Sequence, residues 1–194
     1  MKKMVTAVLL MMSIKSFAQV NYWFRYTKEV MSIADLEVQA RALENDRAQY
    51  SLRGWSFIPL NPKGLELIAS PSYFYHKRPV NSRQELRLSA GFRETFGIVA
   101  TIQGRSRVLA DYRHFIDEPA EWRFRLQQAI IIPLTERYKI RPQAEWLLSK
   151  YTADEVRLEL SGFSKVLKNH EIALGYQAQI IHSLAHHCLL LQFR

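Results

Sequence analysis

The chain is poor in residues that several common kinds of protein depend on. It has one cysteine among 194 residues, which excludes an internal disulfide framework and a cysteine-based zinc site. It has seven glycines, and none of them belongs to a phosphate-cradling loop or a nucleophile elbow. We therefore expect no cofactor. Apolar residues still make up 48% of the chain, so disorder is not expected.

Long hydrophobic runs are also missing. No stretch after residue 19 has the roughly 18–20 apolar residues that a membrane-spanning helix needs. The mean hydropathy is slightly negative, which is too polar for a bundle of membrane helices. The length allows one domain with a sizeable core or two very small ones.

Residues 1–18 have the layout of a secretory signal peptide. A basic start is followed by an almost unbroken apolar run over 5–12, too short to span a bilayer. Ser16 and Ala18 place small residues at the −3 and −1 positions of a cleavage site. We predict export and cleavage after Ala18, which leaves 19–194 as the mature domain.

The charge is strongly positive, with 27 Lys and Arg against 18 Asp and Glu and a net charge of +9. A basic balance can indicate nucleic-acid binding. An exported protein does not meet nucleic acid, so we predict no such partner.

The dominant pattern in the mature chain is a period of two. In 34–42 every even position is apolar and every odd position is polar or charged, as in a strand with two different faces. Good helix formers fill this segment, so a helix is an alternative prediction for it. Strict alternation would, however, spread the apolar residues around all sides of a helix. The same alternation recurs between turn motifs and predicts one all-β domain. The candidate strands lie near 20–29, 33–43, 47–60, 64–76, 84–96, 98–115, 121–133, 138–149, 154–166, 170–181 and 186–193.

The number of strands is constrained if the sheet closes into a barrel. A bacterial single-chain membrane barrel has an even number of strands. We therefore expect a closed antiparallel transmembrane barrel of about 10–12 strands. The eleven candidate strands would then be wrong in number by at least one. The weakest candidates are 20–29 and 186–193.

Alternation does not say which face is inside, because a soluble barrel and a transmembrane barrel both alternate. Several runs have 10–13 residues, enough for a tilted strand to cross hydrocarbon, and aromatic residues collect near their ends. Arginine occupies the polar face of the runs, whereas lysine lies almost entirely at run ends and turns. Guanidinium groups bind carboxylates bidentately and tolerate desolvation better than ammonium groups. This division favours an enclosed polar lumen over a solvated outer face.

The polar face carries twelve arginines and nine carboxylates, which we expect to neutralise one another inside the barrel. The arginines are Arg25, Arg41, Arg53, Arg87, Arg93, Arg105, Arg107, Arg113, Arg123, Arg125, Arg141 and Arg157, and the carboxylates are Asp35, Glu37, Glu85, Asp111, Glu121, Glu145, Glu155, Glu159 and Glu171. Within this set the candidate site, structural or for permeation, is Glu37, Arg41, Glu85, Arg87, Arg105, Arg107, Asp111, Arg113, Arg123, Arg125, Glu145, Arg157 and Glu159.

The order of these residues resembles a family of bacterial outer-membrane β-barrels known only as a domain of unknown function. The motifs that carry the resemblance are Trp23, Glu37-x3-Arg41, Glu85-x-Arg87, Arg105-x-Arg107 with Asp111-Tyr112-Arg113, Arg123-x-Arg125 and Gly175-Tyr176. Asp111 stands where the family tends to have Glu, and the chain is short between strands. The resemblance implies a barrel and an outer-membrane location, with lipid and the barrel-assembly machinery as partners. It implies no activity.

Other functions stay open beside a structural or interaction role. The arginines could make a small anion-selective pore, although charged side chains would fill much of a narrow lumen. His182, Ser183 and Glu171 could act in a lipid-modifying enzyme. Their spacing matches no catalytic motif that we can identify, so we expect no catalytic site. His186 and His187 are adjacent and point to opposite faces of a strand, so we expect no metal site. A soluble periplasmic barrel that binds an acidic or amphipathic ligand is the remaining alternative.

Overall fold

The structure, a computed structural model, describes residues 21–43, 46–116, 118–149, 154–167, 170–182 and 184–194. The predicted signal peptide and Ser183 lie outside the described residues. All regular elements in these ranges are strands, so the all-β prediction is confirmed. No helix there is long and apolar enough to cross a membrane. The eleven strands are β1 (Asn21–Met31), β2 (Ala34–Ala42), β3 (Ala48–Pro59), β4 (Leu65–Lys77), β5 (Arg83–Val99), β6 (Ile102–Phe115), β7 (Glu118–Pro133), β8 (Tyr138–Ser149), β9 (Glu155–Leu167), β10 (His170–Ile181) and β11 (Leu184–Phe193).

The strands form one sheet that closes on itself, which confirms the predicted barrel. Each strand pairs antiparallel with the next, and β1 pairs with β11 in parallel. The expectation of an even number is therefore wrong for this chain. With eleven alternating strands the first and the last run in the same direction, so only a parallel pair can close the sheet. The two segments predicted to be weakest, 20–29 and 186–193, are the ones that meet at this closure.

The odd number of strands places the two ends of the barrel chain at opposite mouths. We call the end where β1 begins the N-terminal mouth, and the end where β11 finishes the C-terminal mouth. Connections between successive strands contain two to five residues. One of the two-residue connections replaces residues predicted to be in a strand. Ala100, with a φ of 42°, and Thr101 make the hairpin connection between β5, which continues to Val99, and β6.

Charged side chains line the interior and apolar side chains cover the outside. On β7, Arg123 and Arg125 are 8% and 5% exposed, while Phe124 between them is 56% exposed. The same arrangement holds on β5, where Glu85 is fully buried and Leu86 is 52% exposed. Globular interiors in water have the opposite arrangement. The interior of this barrel is ionic.

The inward positions are not odd-numbered throughout. The register pairs Arg53 with Ser72 across β3 and β4, and Gln177 with Cys188 across β10 and β11. Directly opposed residues lie on the same face of a sheet, so even-numbered residues of β4 and β11 point inward. Among them Ser70 and Ser72 are small and leave room for long arginine side chains.

Some of the buried apolar side chains form two small clusters. Trp23 packs with Cys188 and Leu190 beside the β1–β11 closure. A second cluster joins Trp55, Ile68 and Leu109 on β3, β4 and β6. At Gly91 the neighbouring strand comes so close that an added methyl group would lie 1.9 Å from the carbonyl oxygen of Val108. This close approach explains why glycine occupies the position.

The parallel closure can be tested with the single native cysteine. Asn21 and Cys188 are register partners, and both are buried. Adjacent strands lie about 4.8 Å apart, within the roughly 4.4–6.8 Å between Cα atoms that a disulfide requires. We expect the Asn21→Cys variant to form a disulfide with Cys188 on mild oxidation of the folded protein. The unfolded, cross-linked chain should then migrate faster on a non-reducing gel.

Tyr22→Cys is the matched control, because its register partner is Leu189 and its side chain points to the other face. It should give no cross-link under the same oxidation. Equal cross-linking of both variants, or of neither, would contradict the closure between β1 and β11.

The charged lumen as the candidate functional site

The interior charges surround one central cavity. All twelve arginines that alternation places on the polar face line this cavity, which has a volume of about 400 Å³. Two of the nine carboxylates, Glu85 and Asp111, are fully buried behind it. The thirteen residues of the sequence-predicted site therefore lie together on the inner wall, although they come from six different strands.

Asp111 forms the most buried ion-pair cluster. The register sets it opposite Ser89 of β5 and Arg123 of β7. Its Oδ2 accepts a hydrogen bond from Nη2 of Arg123 at 2.8 Å, and its Oδ1 accepts one from Nη2 of Arg125 at 2.7 Å. The Ser89 hydroxyl donates to Oδ1 at 2.7 Å. One carboxylate thus joins two guanidinium groups with no exposure to solvent.

Glu85 joins a second pair of arginines nearer the N-terminal mouth. Arg87 and Arg113 are directly opposed on β5 and β6, where like charges repel. Nε of Arg87 donates to Glu85 at 2.7 Å and Nε of Arg113 donates to it at 2.8 Å. Nε2 of His76 lies 3.2 Å from the same carboxylate, and Arg113 also binds Glu121. The carboxylate offsets the repulsion between the two opposed cations.

Glu145 and Glu159 make the connections on the β8–β9 side. Glu145 lies 3.4 Å from Arg157 on β9 and 3.5 Å from Arg107 on β6, so it connects to strands on both sides of β8. Glu159 accepts hydrogen bonds from Arg141 at 2.9 Å and from the Ser161 hydroxyl at 2.7 Å. Arg157 also binds Glu155 on its own strand.

Around β1 and β2 an aromatic ring takes part in the network. Glu37 lies 3.6 Å from Arg53 and binds the Gln39 amide. Trp23 donates its indole N–H to the Gln39 side-chain oxygen at 3.1 Å. The guanidinium of Arg41 lies 3.7 Å above the Trp23 ring centre, and no carboxylate of the described residues is within ion-pair distance of it. The ring face stabilises this cation in place of an anion.

Sequence reasoning missed several members of the network. Glu66, which binds Arg93, and His76 are even-numbered, and the register of β4 turns their positions inward. Lys139 lies at the start of β8, at a run end as predicted, and its ammonium lies 2.8 Å from Glu171 inside the C-terminal mouth. Pairing register, which no local pattern reveals, decides the first two cases.

Of the residues considered for catalysis, the two that the structure describes, Glu171 and His182, are not brought together. Glu171 is the second residue of β10 and His182 follows its end, and eleven residues of extended strand span about 36 Å. His187 is exposed on the outer face, where its ring stacks with that of Tyr176. His186 is on the inward side with Cys188, so the two adjacent histidines point apart. No group of three or more His, Cys, Asp or Glu placed to hold a metal ion occurs among the described residues.

The fold and the site define a closed all-β barrel with an ionic interior. No protein-family model, no curated protein and no solved structure matches this chain.

Proposed function

We propose that this protein is a bacterial outer-membrane β-barrel whose lumen is closed by its own arginine–carboxylate network. Its role in this proposal is structural or interactive rather than catalytic. The observation that carries it is the distribution of side chains across the barrel wall. Charged side chains point inward, and exposed leucine, phenylalanine, tryptophan and tyrosine side chains cover every part of the outside. In water so large an exposed apolar surface would favour aggregation, whereas in a bilayer it matches the lipid.

Strand length and aromatic placement support the same proposal. The strands have 9 to 17 residues, and a tilted strand needs about 9–11 to cross hydrocarbon. Tyr50 stacks on Tyr75, and Tyr112 packs against Trp122, all of them toward the N-terminal mouth. Aromatic rings of this kind form the interfacial girdles of membrane barrels. The predicted signal peptide and the family resemblance agree with export to the outer membrane, where the assembly machinery would insert the chain.

The filled lumen argues for a closed barrel over an open channel. Open aqueous channels are found in barrels of about 16–18 strands, and this one has eleven. The wall of its central cavity, of about 400 Å³, carries ion pairs between the neighbouring strands β5 and β6, β6 and β7, and β8 and β9. The excess of arginine over carboxylate keeps a small anion-selective pore as the second candidate function.

Expression of the full chain followed by membrane fractionation tests the proposal. The protein should appear in the outer-membrane fraction and need detergent for release. It should also migrate differently on a gel before and after boiling, since a closed hydrogen-bonded barrel resists unfolding in detergent. Release by osmotic shock with no mobility shift would refute the membrane location and support a soluble barrel. Reconstituted into planar bilayers, the protein should conduct poorly, and a steady anion-selective conductance would favour the pore.

A further inference from the structure

We infer that the C-terminal mouth contains a binding site for a small oxyanion of the phosphate or sulfate type, centred on Arg105. This goes beyond the proposed function, because it needs only the barrel geometry and not the membrane around it.

Arg105 differs from the other arginines of the polar face. In the described part of the chain it alone among the twelve has no ion pair, no hydrogen bond and no aromatic ring against its guanidinium. Its Nε is buried without a hydrogen-bond partner. The register explains why, since its cross-strand neighbours are Thr95 on β5 and Ala129 on β7. The pairing of strands supplies no carboxylate at this position.

The surroundings of Arg105 are positively charged. A cavity of about 190 Å³ at this mouth is lined by seven basic side chains and three acidic ones. The charges that act most strongly on Arg105 are those of Arg93, Arg141 and Arg194, followed by the carboxylate of Glu66. An anion bound between these cations would relieve their mutual repulsion.

The neighbouring guanidinium groups have N–H donors that could bind such a ligand. Arg141 binds Glu159 through Nη2, and its Nε is buried without a partner. Arg93 binds Glu66 through Nε, and its two Nη groups make no hydrogen bond within the described residues. Planar guanidinium forks match the oxygens of phosphate and sulfate bidentately. The cavity has room for an anion of a few heavy atoms, either free or as the phosphate monoester of a headgroup at the mouth.

Isothermal titration of the purified, folded full chain in neutral detergent tests the site, with inorganic phosphate and sulfate as probes. We expect saturable binding of both ions in chloride buffer. Arg105→Gln should weaken phosphate binding about 10–100-fold, the equivalent of a lost hydrogen bond to a charged group. Arg105→Lys keeps the charge but loses the fork, and should weaken binding less. Because Arg105 has no partner within the protein, these variants should keep the boiled and unboiled gel pattern of the wild type.

Arg83→Gln is the matched control, because it removes the same charge at the N-terminal mouth, where Arg83 pairs with Glu118 at 2.6 Å. It should leave phosphate affinity unchanged. Absence of saturable phosphate binding in the wild type, or equal weakening by Arg83→Gln and Arg105→Gln, would overturn the site. The membrane location would be untouched by that failure.

A second titration with short-chain phosphatidic acid in the same detergent distinguishes the two sources. Affinity at least tenfold above that of inorganic phosphate, lost in Arg105→Gln, would support a headgroup ligand. Equal affinities that Arg105→Gln weakens equally would support the free ion. Binding of phosphatidic acid that Arg105→Gln does not change would count against the site.

Discussion

Replacement of Arg123 and Arg125 together by leucine is expected to lower the free energy of unfolding in detergent by about 3–5 kcal/mol. Asp111 is fully buried and would lose both of its guanidinium partners, keeping the Ser89 hydroxyl. The free-energy cost of an unpaired carboxylate in the lumen is far larger than the stabilisation gained by packing two leucine side chains there. Chemical denaturation of the folded protein, followed by tryptophan fluorescence, measures the change.

Two further variants make this result specific. Addition of Asp111→Leu to the double variant should recover much of the loss, because a whole buried ion cluster replaced by apolar groups is often nearly neutral. Glu118→Gln removes the partner of Arg83 at a half-exposed rim position and should cost no more than about 1 kcal/mol. A wild-type midpoint for the double variant would contradict the lumen network as a source of stability.

Leu126→Arg is expected to destabilise the protein in lipid vesicles by about 2–4 kcal/mol. Leu126 lies near the middle of β7, points outward and is 42% exposed, between Val108 and Trp146 on the neighbouring strands. Under the proposed membrane location this position faces hydrocarbon, where a guanidinium is poorly solvated. Denaturation of vesicle-inserted protein gives the measurement.

Leu134→Arg is the matched control at the C-terminal mouth, where Leu134 follows β7 and is 60% exposed. At the rim the same substitution should cost about 0–1 kcal/mol. If both variants were as stable as the wild type, the outer face would lie in water, where exposed substitutions usually change stability by less than about 0.5 kcal/mol. The contrast between the two positions therefore reports on the environment of the barrel wall.

The strands were largely predictable because alternation and turn residues are local properties of the chain. Two of them, β8 (Tyr138–Ser149) and β10 (His170–Ile181), have the predicted limits. Segment 34–42, for which a helix stayed open, is the strand β2. The thirteen residues of the candidate site share the inner wall for the same reason, since a period of two fixes which side chains lie on one face.

The sequence by itself thus determined an all-β chain with a polar face rich in arginine and carboxylate. Only the tertiary structure decided how the sheet closes, because the parallel pair of β1 and β11 joins residues from opposite ends of the chain. Cross-strand register, equally non-local, brought Glu66 and His76 inward and left Arg105 opposite Thr95 and Ala129. A local pattern assigns a side chain to a face, but its partners across that face are set by which strands pair and with what offset.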